Sequence, residues 1–170
     1  MSDYHDKRAL EIITKIRYAT LATVTPEGLP WNSPVAHEYD NNLNIYWVSD
    51  KEGQHSKNVT ANKKVFIVIY DSTVPEGDGE GVYIQASVEQ VIDPEEILKV
   101  RRIKKGSHFE QSPDSFIGDS IRYMYKAVPE KVWMNDAEVN DGVFIKDFRV
   151  EISLEVIRDL LNSQDPKRSV

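Results

Sequence analysis

The sequence predicts a mainly β protein of the α+β class, an antiparallel barrel with helices covering its ends. About seven segments rich in β-branched and aromatic residues are joined mostly by short turns, which favours antiparallel neighbours. Helical patterns occur among these segments without regular strand–helix alternation. A doubly wound parallel sheet is therefore disfavoured.

The first third of the chain predicts a helix, three strands and a second, short helix. One face of the first helix, over residues 4–17, carries apolar residues at helical spacing: Ala9, Ile12, Ile13 and Ile16. Strands are predicted at about 18–25, 30–39 and 43–49, because the turn sequences PEG and DNN separate them. The short helix is expected from Gln54 to Ala61.

The middle of the chain predicts two long strands and the loop that joins them. The run VFIVIYD at 65–71 is apolar almost throughout, which predicts a central strand buried on both faces. The acidic, glycine-rich segment 71–81 predicts a surface loop, either a mobile flap or a long hairpin loop. Residues 82–92 alternate between apolar and polar types, as in a half-buried strand.

The last part predicts helices alternating with two further strands. Asp93 followed by Pro94 is a strong helix start, and that helix should end near Gly106. A short helical piece is expected at 112–115, with three apolar residues after it to bury: Phe116, Ile117 and Ile121. Strands are predicted at 131–135, entered through Pro129, and at 143–154, before a last helix at about 153–162.

Composition excludes several classes of function. The chain of 170 residues fits a single domain, 1–170, and its lack of cysteine excludes thiolate metal sites and a cysteine nucleophile. Four histidines without ligand spacing predict no metal site. A net charge of −7 argues against nucleic-acid binding. A charged N-terminus and the lack of an apolar run of about 20 residues predict a cytoplasmic protein that does not contact membranes.

The first candidate site is the strand–turn–helix segment Leu43–Asn62, which is rich in hydrogen-bond donors. A strand there leads through a turn containing Gly53 into the short helix, whose free N-terminal amides favour an anion. Ser49, Gln54 and His55 add polar side chains at the same point. The connection suits a phosphate, although most strand–turn–helix connections bind nothing.

Four segments in this order resemble the pyridoxamine 5'-phosphate oxidase-like family, the FMN-binding split barrels. They are ATLATVTPEGLPWNSPV, IYWVSDKEGQHSKNVTANKKV, VYIQASVEQVIDPEE and KAVPEKVWMND. The resemblance implies a six- to seven-stranded antiparallel split β-barrel with flanking helices. It also implies a homodimer that holds two FMN molecules in the clefts between its protomers.

The resemblance further implies a set of cofactor-binding residues. They are Asn32, Ser33, Pro34 and Val35 beside the isoalloxazine ring, Val48, Ser49, Gln54 and His55 beside the phosphate, and Trp133 near the flavin of the other protomer. A histidine beside a phosphate would be held partly or fully protonated. The alternatives are that His55 is a surface helix residue and that Trp133 is an ordinary core or interface aromatic. Asn58 fits a local cap better than a flavin contact.

Departures from the family pattern indicate a related member, not an authentic pyridoxamine 5'-phosphate oxidase. Authentic oxidases resemble each other in an Arg-Leu-His segment after the late tryptophan, which holds the substrate, whereas residues 136–141 here are DAEVND. Ser33 stands where a cofactor arginine is expected, His55 where a lysine is expected, and Gly81 where a glutamine is expected. These differences argue against vitamin B6 chemistry.

The first hypothesis is therefore an FMN-dependent oxidoreductase whose substrate is unknown and in which the flavin performs the redox chemistry. No catalytic residue can be named, since His37 fits a structural role better than a catalytic one. A second hypothesis keeps the fold and replaces FMN with F420 or haem. A third is a non-catalytic flavin-binding dimer that acts as a sensor or storage protein.

Overall fold

The computed structural model describes residues 2–106 and 110–165, and this part of the chain forms an eight-stranded antiparallel sheet flanked by four helices. The strands are β1 (Tyr18–Val24), β2 (Pro30–Ala36), β3 (Glu38–Tyr39), β4 (Ile45–Asp50), β5 (Lys64–Tyr70), β6 (Gly81–Gln90), β7 (Arg122–Asn140) and β8 (Val143–Ile152). The helices are α1 (Ser2–Lys15), α2 (Gln54–Ala61), α3 (Pro94–Lys105) and α4 (Leu154–Gln164), and a 3-10 turn spans Pro113–Phe116.

The strand order curls the sheet into an open barrel. The order is β2-β1-β5-β6-β7-β4-β3, with β8 paired to the second half of β7. Strands β2 and β4, which stand far apart in that order, nevertheless contact each other. The split of the barrel therefore lies between β2 and β4. The predicted antiparallel split barrel is confirmed, with eight strands instead of six or seven.

One additional strand arises because the predicted strand 30–39 is two strands. The backbone amide of His37 donates to the carbonyl oxygen of Arg17 at 3.3 Å, and the ladder between β1 and β2 ends at the pair Tyr18 and Ala36. The chain then turns away, and Glu38 pairs with Tyr46 of β4. The break gives the barrel its split.

Strand β7 is much longer than the predicted strand 131–135, because Pro129 does not begin it. Ala86 pairs with Pro129 and Gln85 pairs with Lys131, so Glu130 is an extra residue in a β-bulge. A bulge accommodates proline inside a sheet because the ladder is interrupted there. Ile121, which was expected to be buried, lies just before the strand and is 73% exposed.

The main hydrophobic core lies on one face of the sheet. In β5, Val65, Ile67 and Ile69 are buried, whereas Phe66 and Val68 on the opposite face are half-buried. The prediction that this strand is buried on both faces is therefore wrong for the single chain. Helices α1 and α4 contact each other and cover the core face. We call the opposite side the outer face.

The acidic loop at 71–80 joins β5 to β6 as a hairpin loop with an anchored C-terminal end. Asn135 of β7 accepts from the amide of Gly81 at 2.6 Å and donates to the carbonyl oxygen of Gly79 at 2.8 Å. Glu80 forms an ion pair with Arg8 of α1 at 2.5 Å. These contacts fix the end of the loop against α1 and β7.

Helix α3 begins and ends where the sequence predicts. The Asp93 carboxylate accepts from the amide of Glu95 at 3.1 Å, and the helix ends at Gly106, whose φ of 91° favours glycine. Ile97 and Val100 pack against Phe116 in a second apolar cluster beneath the helix.

Among the described residues, no helix is long and apolar enough to cross a membrane.

Replacing Asp93 by alanine should lower the free energy of unfolding by about 1 kcal/mol, because the amide of Glu95 loses its acceptor. Urea denaturation followed by circular dichroism measures the change. Glu27→Gln is the matched control, since Glu27 is an exposed acid in the turn between β1 and β2. Equal stability of the Asp93 variant and the parent protein would show that the cap contributes nothing.

Candidate functional site

The turn between β4 and α2 is tight and depends on glycine. The Asp50 side chain accepts from the amide of Glu52 at 2.8 Å, and the amide of Gly53 donates to the carbonyl oxygen of Asp50 at 3.1 Å. A Cβ atom at position 53 would lie 3.2 Å from that carbonyl oxygen and 3.6 Å from the His55 ring. Gly53 therefore lets the strand lead directly into the helix.

The N-terminus of α2 has no side-chain cap. Gly53 occupies the N-cap position, and the first turn of the helix contains no acidic residue. Gln54 is exposed, and its amide donates to Asn58 within the same helix at 2.8 Å. The first-turn amides thus keep their attraction for an anion.

His55 carries a buried nitrogen that needs a partner. Its Nε2 atom is inaccessible to solvent and has no hydrogen-bond partner within residues 2–106 and 110–165. Burial lowers the pKa of His55, so the imidazole is neutral in the ligand-free chain. The protonated His55 expected beside a phosphate therefore requires that the anion be bound. A phosphate at the α2 N-terminus would provide the compensating charge, and it would provide the missing acceptor once the imidazole turns to bring Nε2 to the surface.

Two lysines and Asn58 flank the helix start in different ways. Lys57 is exposed and forms an ion pair with Glu52 at 3.2 Å. Lys51 lies 5.4 Å from the centre of the Tyr123 ring and forms no ion pair with any described carboxylate. Lys51 is thus a candidate phosphate contact that the sequence did not single out.

Asn58 is not a cap: it is buried and donates to Thr23 at 2.9 Å, which ties α2 to β1.

The predicted residues of β2 divide between its two faces. Asn32 and Pro34 are exposed on the outer face. Ser33 is half-buried on the other face and accepts from the indole nitrogen of Trp31 at 3.1 Å. Val35 is 6% exposed and its side chain packs in the core, which leaves its main chain for any contact with a ligand.

Most of the predicted cofactor residues surround the split of the barrel. Val48 and Ser49 are half-buried at the end of β4. Helix α2 contacts β1, β2 and β6, and β2 contacts β4. The structure thus brings the predicted segments of β2, β4 and α2 together, and leaves Trp133 elsewhere.

Trp133 lies far from the other predicted residues along the sheet. Ser49 pairs with Tyr123, and Trp133 stands ten residues further along β7, which corresponds to about 33 Å of extended strand. Pro34 is separated from Trp133 by four strand spacings, about 19 Å. Along the sheet, Trp133 therefore lies apart from the residues of β2, β4 and α2.

Trp133 belongs to a group of rings on the outer face that we call the aromatic platform: Phe66, Tyr83 and Trp133. The Trp133 and Phe66 rings stack with centroids 6.2 Å apart. The Arg149 guanidinium lies 4.3 Å from the centre of the Tyr83 ring and 5.4 Å from that of Phe66. The alternation of side chains along each strand could have identified the outward-facing rings. The position of Arg149 beside them depends on the register of β7 with β8, which the sequence does not reveal.

His37 has the environment of a structural residue. It is 6% exposed, and burial together with the nearby Lys104 ammonium lowers the pKa of His37 to about 4. Lys104 donates to the carbonyl oxygens of Ala36 and His37 at 2.8 and 3.3 Å.

Within the described parts of the chain, no cluster of acidic and histidine side chains has the composition of a metal site.

Comparisons with known proteins agree with this architecture. A sequence profile of the family described as Pyridoxamine 5'-phosphate oxidase matches residues 6–133. No curated protein matches the chain at a significant level. Among solved structures, a candidate pyridoxamine 5'-phosphate oxidase from Listeria innocua is 20% identical, with a TM-score of 0.59; the match covers 75% of this chain and 94% of that one.

Two further solved structures share the fold and differ in their ligands. A heme binding protein from Mycobacterium smegmatis is 17% identical with a TM-score of 0.64, and the match covers 91% of this chain and 60% of that one. An F420 reductase is 20% identical with a TM-score of 0.52, and the match covers 72% of this chain and 93% of that one. Identities this low show a shared fold. The match of the family profile over residues 6–133, more than half of the chain, shows that the chain belongs to the pyridoxamine 5'-phosphate oxidase-like family.

Proposed function

We propose that the protein is a homodimeric, FMN-dependent oxidoreductase with its two flavins at the splits of the two barrels. The observation that carries this proposal is the buried, unpartnered Nε2 atom of His55 beside the uncapped N-terminus of α2. A phosphate monoester would supply acceptor oxygens for the helix amides and, once the imidazole turns towards it, for the His55 ring. Ser49 and Lys51 lie beside the same helix start and would complete the phosphate site.

The position of Trp133 supports the dimer. Trp133 lies ten residues along β7 from the partner of Ser49, and in this proposal it contacts a flavin held by the split of a second copy. The half-buried outer face, with the aromatic platform on it, offers an apolar surface for that copy. Each flavin would then lie between Asn32 and Pro34 of one chain and Trp133 of the other.

The chain's own contribution to the chemistry is binding and orientation. FMN, once bound, supplies hydride or electron transfer. The α2 amides, Ser49 and His55 would fix the phosphate, and the main chain of β2 would set the edge of the ring. No described side chain is placed to act as a proton donor or acceptor in a named step.

Haem is the second candidate ligand, and one observation favours it. Burial keeps His55 neutral, and a neutral imidazole with an unpartnered nitrogen is the form that ligates haem iron. Mass spectrometry of the ligand that co-purifies separates the two candidates, supported by the absorption spectrum. Steady-state oxidation of NADPH by the FMN-loaded protein then separates an oxidoreductase from a flavin-storing dimer.

A complementation experiment tests the shared site. His55→Ala and Trp133→Ala variants should each bind FMN weakly as homodimers, because every site lacks one contact. In a refolded equimolar mixture, a mixed dimer has one site with both residues intact, so about one site in four should regain parental affinity. Flavin fluorescence titration measures that fraction. Mixing would restore nothing if each flavin lay within a single chain.

A further inference from the structure

A cleft of about 1160 Å³ lies beside the aromatic platform, and its lining contains none of the predicted cofactor-binding residues. The acidic loop forms one wall, and the β7–β8 hairpin forms the other. The cleft shares Tyr83 and Arg149 with the aromatic platform, so one end opens beside Trp133. Asn135 holds the end of this wall through its hydrogen bonds to Gly79 and Gly81.

The hairpin wall of the cleft exposes large apolar side chains. Val139, Phe144 and Phe148 are 57%, 59% and 41% exposed, and all three line the cleft. Apolar exposure of this kind in a concave surface marks a binding site. Phenylalanine rings also attract organic cations through their faces.

Acidic side chains dominate the polar part of the lining. Glu80 is paired with Arg8, and Asp136 lies 3.0 Å from the His5 ring nitrogen. The carboxylates of Asp78 and Asp147, on opposite walls, form no ion pair with any residue that the structure places.

Arg149 is the opposing charge, and its guanidinium lies 4.3 Å from the centre of the Tyr83 ring, which also lines the cleft. The lining thus retains an excess of negative charge.

We propose that this cleft is the substrate site of the oxidoreductase and that it selects planar aromatic compounds carrying a positive charge. This assignment rests on the proposed function. The cleft opens beside Trp133, and a substrate in it meets a flavin only if Trp133 contacts the flavin of a second copy. Asp78 and Asp147 attract the cation from both walls, while Phe144, on the same face of β8 as Asp147, packs against its ring. Phosphate esters and carboxylates are repelled by the same carboxylates.

Two probes of equal size and opposite charge test the selectivity: 1-methylquinolinium and 1-naphthoate. Isothermal titration calorimetry with the FMN-loaded protein should show binding of the quinolinium and at least about tenfold weaker binding of the naphthoate. Naphthoate binding as tight as that of the quinolinium would overturn the proposal. Failure of both probes to bind at millimolar concentration would overturn it as well.

Variants with opposite expected effects locate the site. Asp78→Asn and Asp147→Asn should each weaken quinolinium binding by roughly threefold to tenfold. Arg149→Gln should bind it at least as tightly as the parent, because a like charge is removed. Glu27→Gln, outside the cleft, should leave the affinity unchanged. The assignment is wrong if both aspartate variants retain parental affinity, or if loss of Arg149 abolishes binding.

Failure of the proposed function is distinguishable from failure of this inference. FMN binding is titrated first, without either probe. If FMN does not bind, the flavin proposal and the substrate role both fail, and the same probe titrations on the ligand-free chain still decide whether the cleft prefers cations. If FMN binds and the probes show no preference for the cation, only the cleft assignment fails.

Discussion

Replacing His55 by alanine is expected to weaken FMN binding by about 1–3 kcal/mol, or roughly 5- to 150-fold. The half-buried imidazole has an unpartnered nitrogen beside the helix N-terminus, and in the proposed complex a bound phosphate would give the turned ring a charge-assisted hydrogen bond. Fluorescence quenching of FMN on titration with protein measures the affinity. Because the pKa of free His55 is lowered by burial, binding should take up a proton, which calorimetry in buffers of different ionisation enthalpy detects.

Two companion variants sharpen this test. Lys57→Ala removes a nearby but exposed lysine that is paired with Glu52, and it should change the affinity by less than about twofold. His55→Lys supplies a permanent charge at the same position and should bind FMN more tightly than the parent, without the proton uptake. If the Lys57 variant loses affinity while the His55 variant keeps it, the register of the phosphate site is wrong.

Acidification from pH 6.5 to pH 4 is expected to lower the free energy of unfolding by roughly 3 kcal/mol through His37 alone. Burial and Lys104 lower the pKa of His37 to about 4 in the folded chain, whereas the unfolded chain protonates near 6.5. Between these values the unfolded state binds more protons, so stability falls as pH falls. Above pH 6.5 this contribution is fully present, and below pH 4 it is lost.

Urea denaturation at several pH values checks this slope. His37→Gln keeps a polar side chain without a titrating group, so its stability should depend less on pH in the same window. The substitution also changes packing and therefore the free energy of unfolding at every pH. The test therefore compares how steeply that free energy changes with pH in the two proteins. Parallel pH profiles for the two proteins would show that His37 is not the responsible group.

Elements whose signals are local were predicted well from the sequence. The cap of α3 is one example, since Asp93 and Pro94 act on the adjacent turn. Strand β7 shows the limit: Pro129 is ordinarily a strand boundary, and only the pairing with β6 reveals the bulge that accommodates it. Register across distant strands has no local signal.

The same distinction applies to the candidate site. The turn at Gly53 and the helix start at Gln54 were recognisable because they are consecutive in the chain. Arg149 was missed because the register of β8 on β7 brings it to Tyr83, 66 positions earlier in the sequence. The neutral state of ligand-free His55 could not be foreseen either, because burial is a property of the folded chain.

The length of β7 has a consequence for the order of folding. Its second half pairs with β8 through a short turn, a contact between near neighbours that can form within microseconds. Its first half must find β4, with Val48 opposite Met124, a separation of 76 positions. Loop closure over that distance is slow, so the two ends of one strand are expected to form on different timescales. Ser49 pairs with Tyr123 in the half of β7 that forms slowly. The phosphate site is therefore expected to be completed only when the barrel closes.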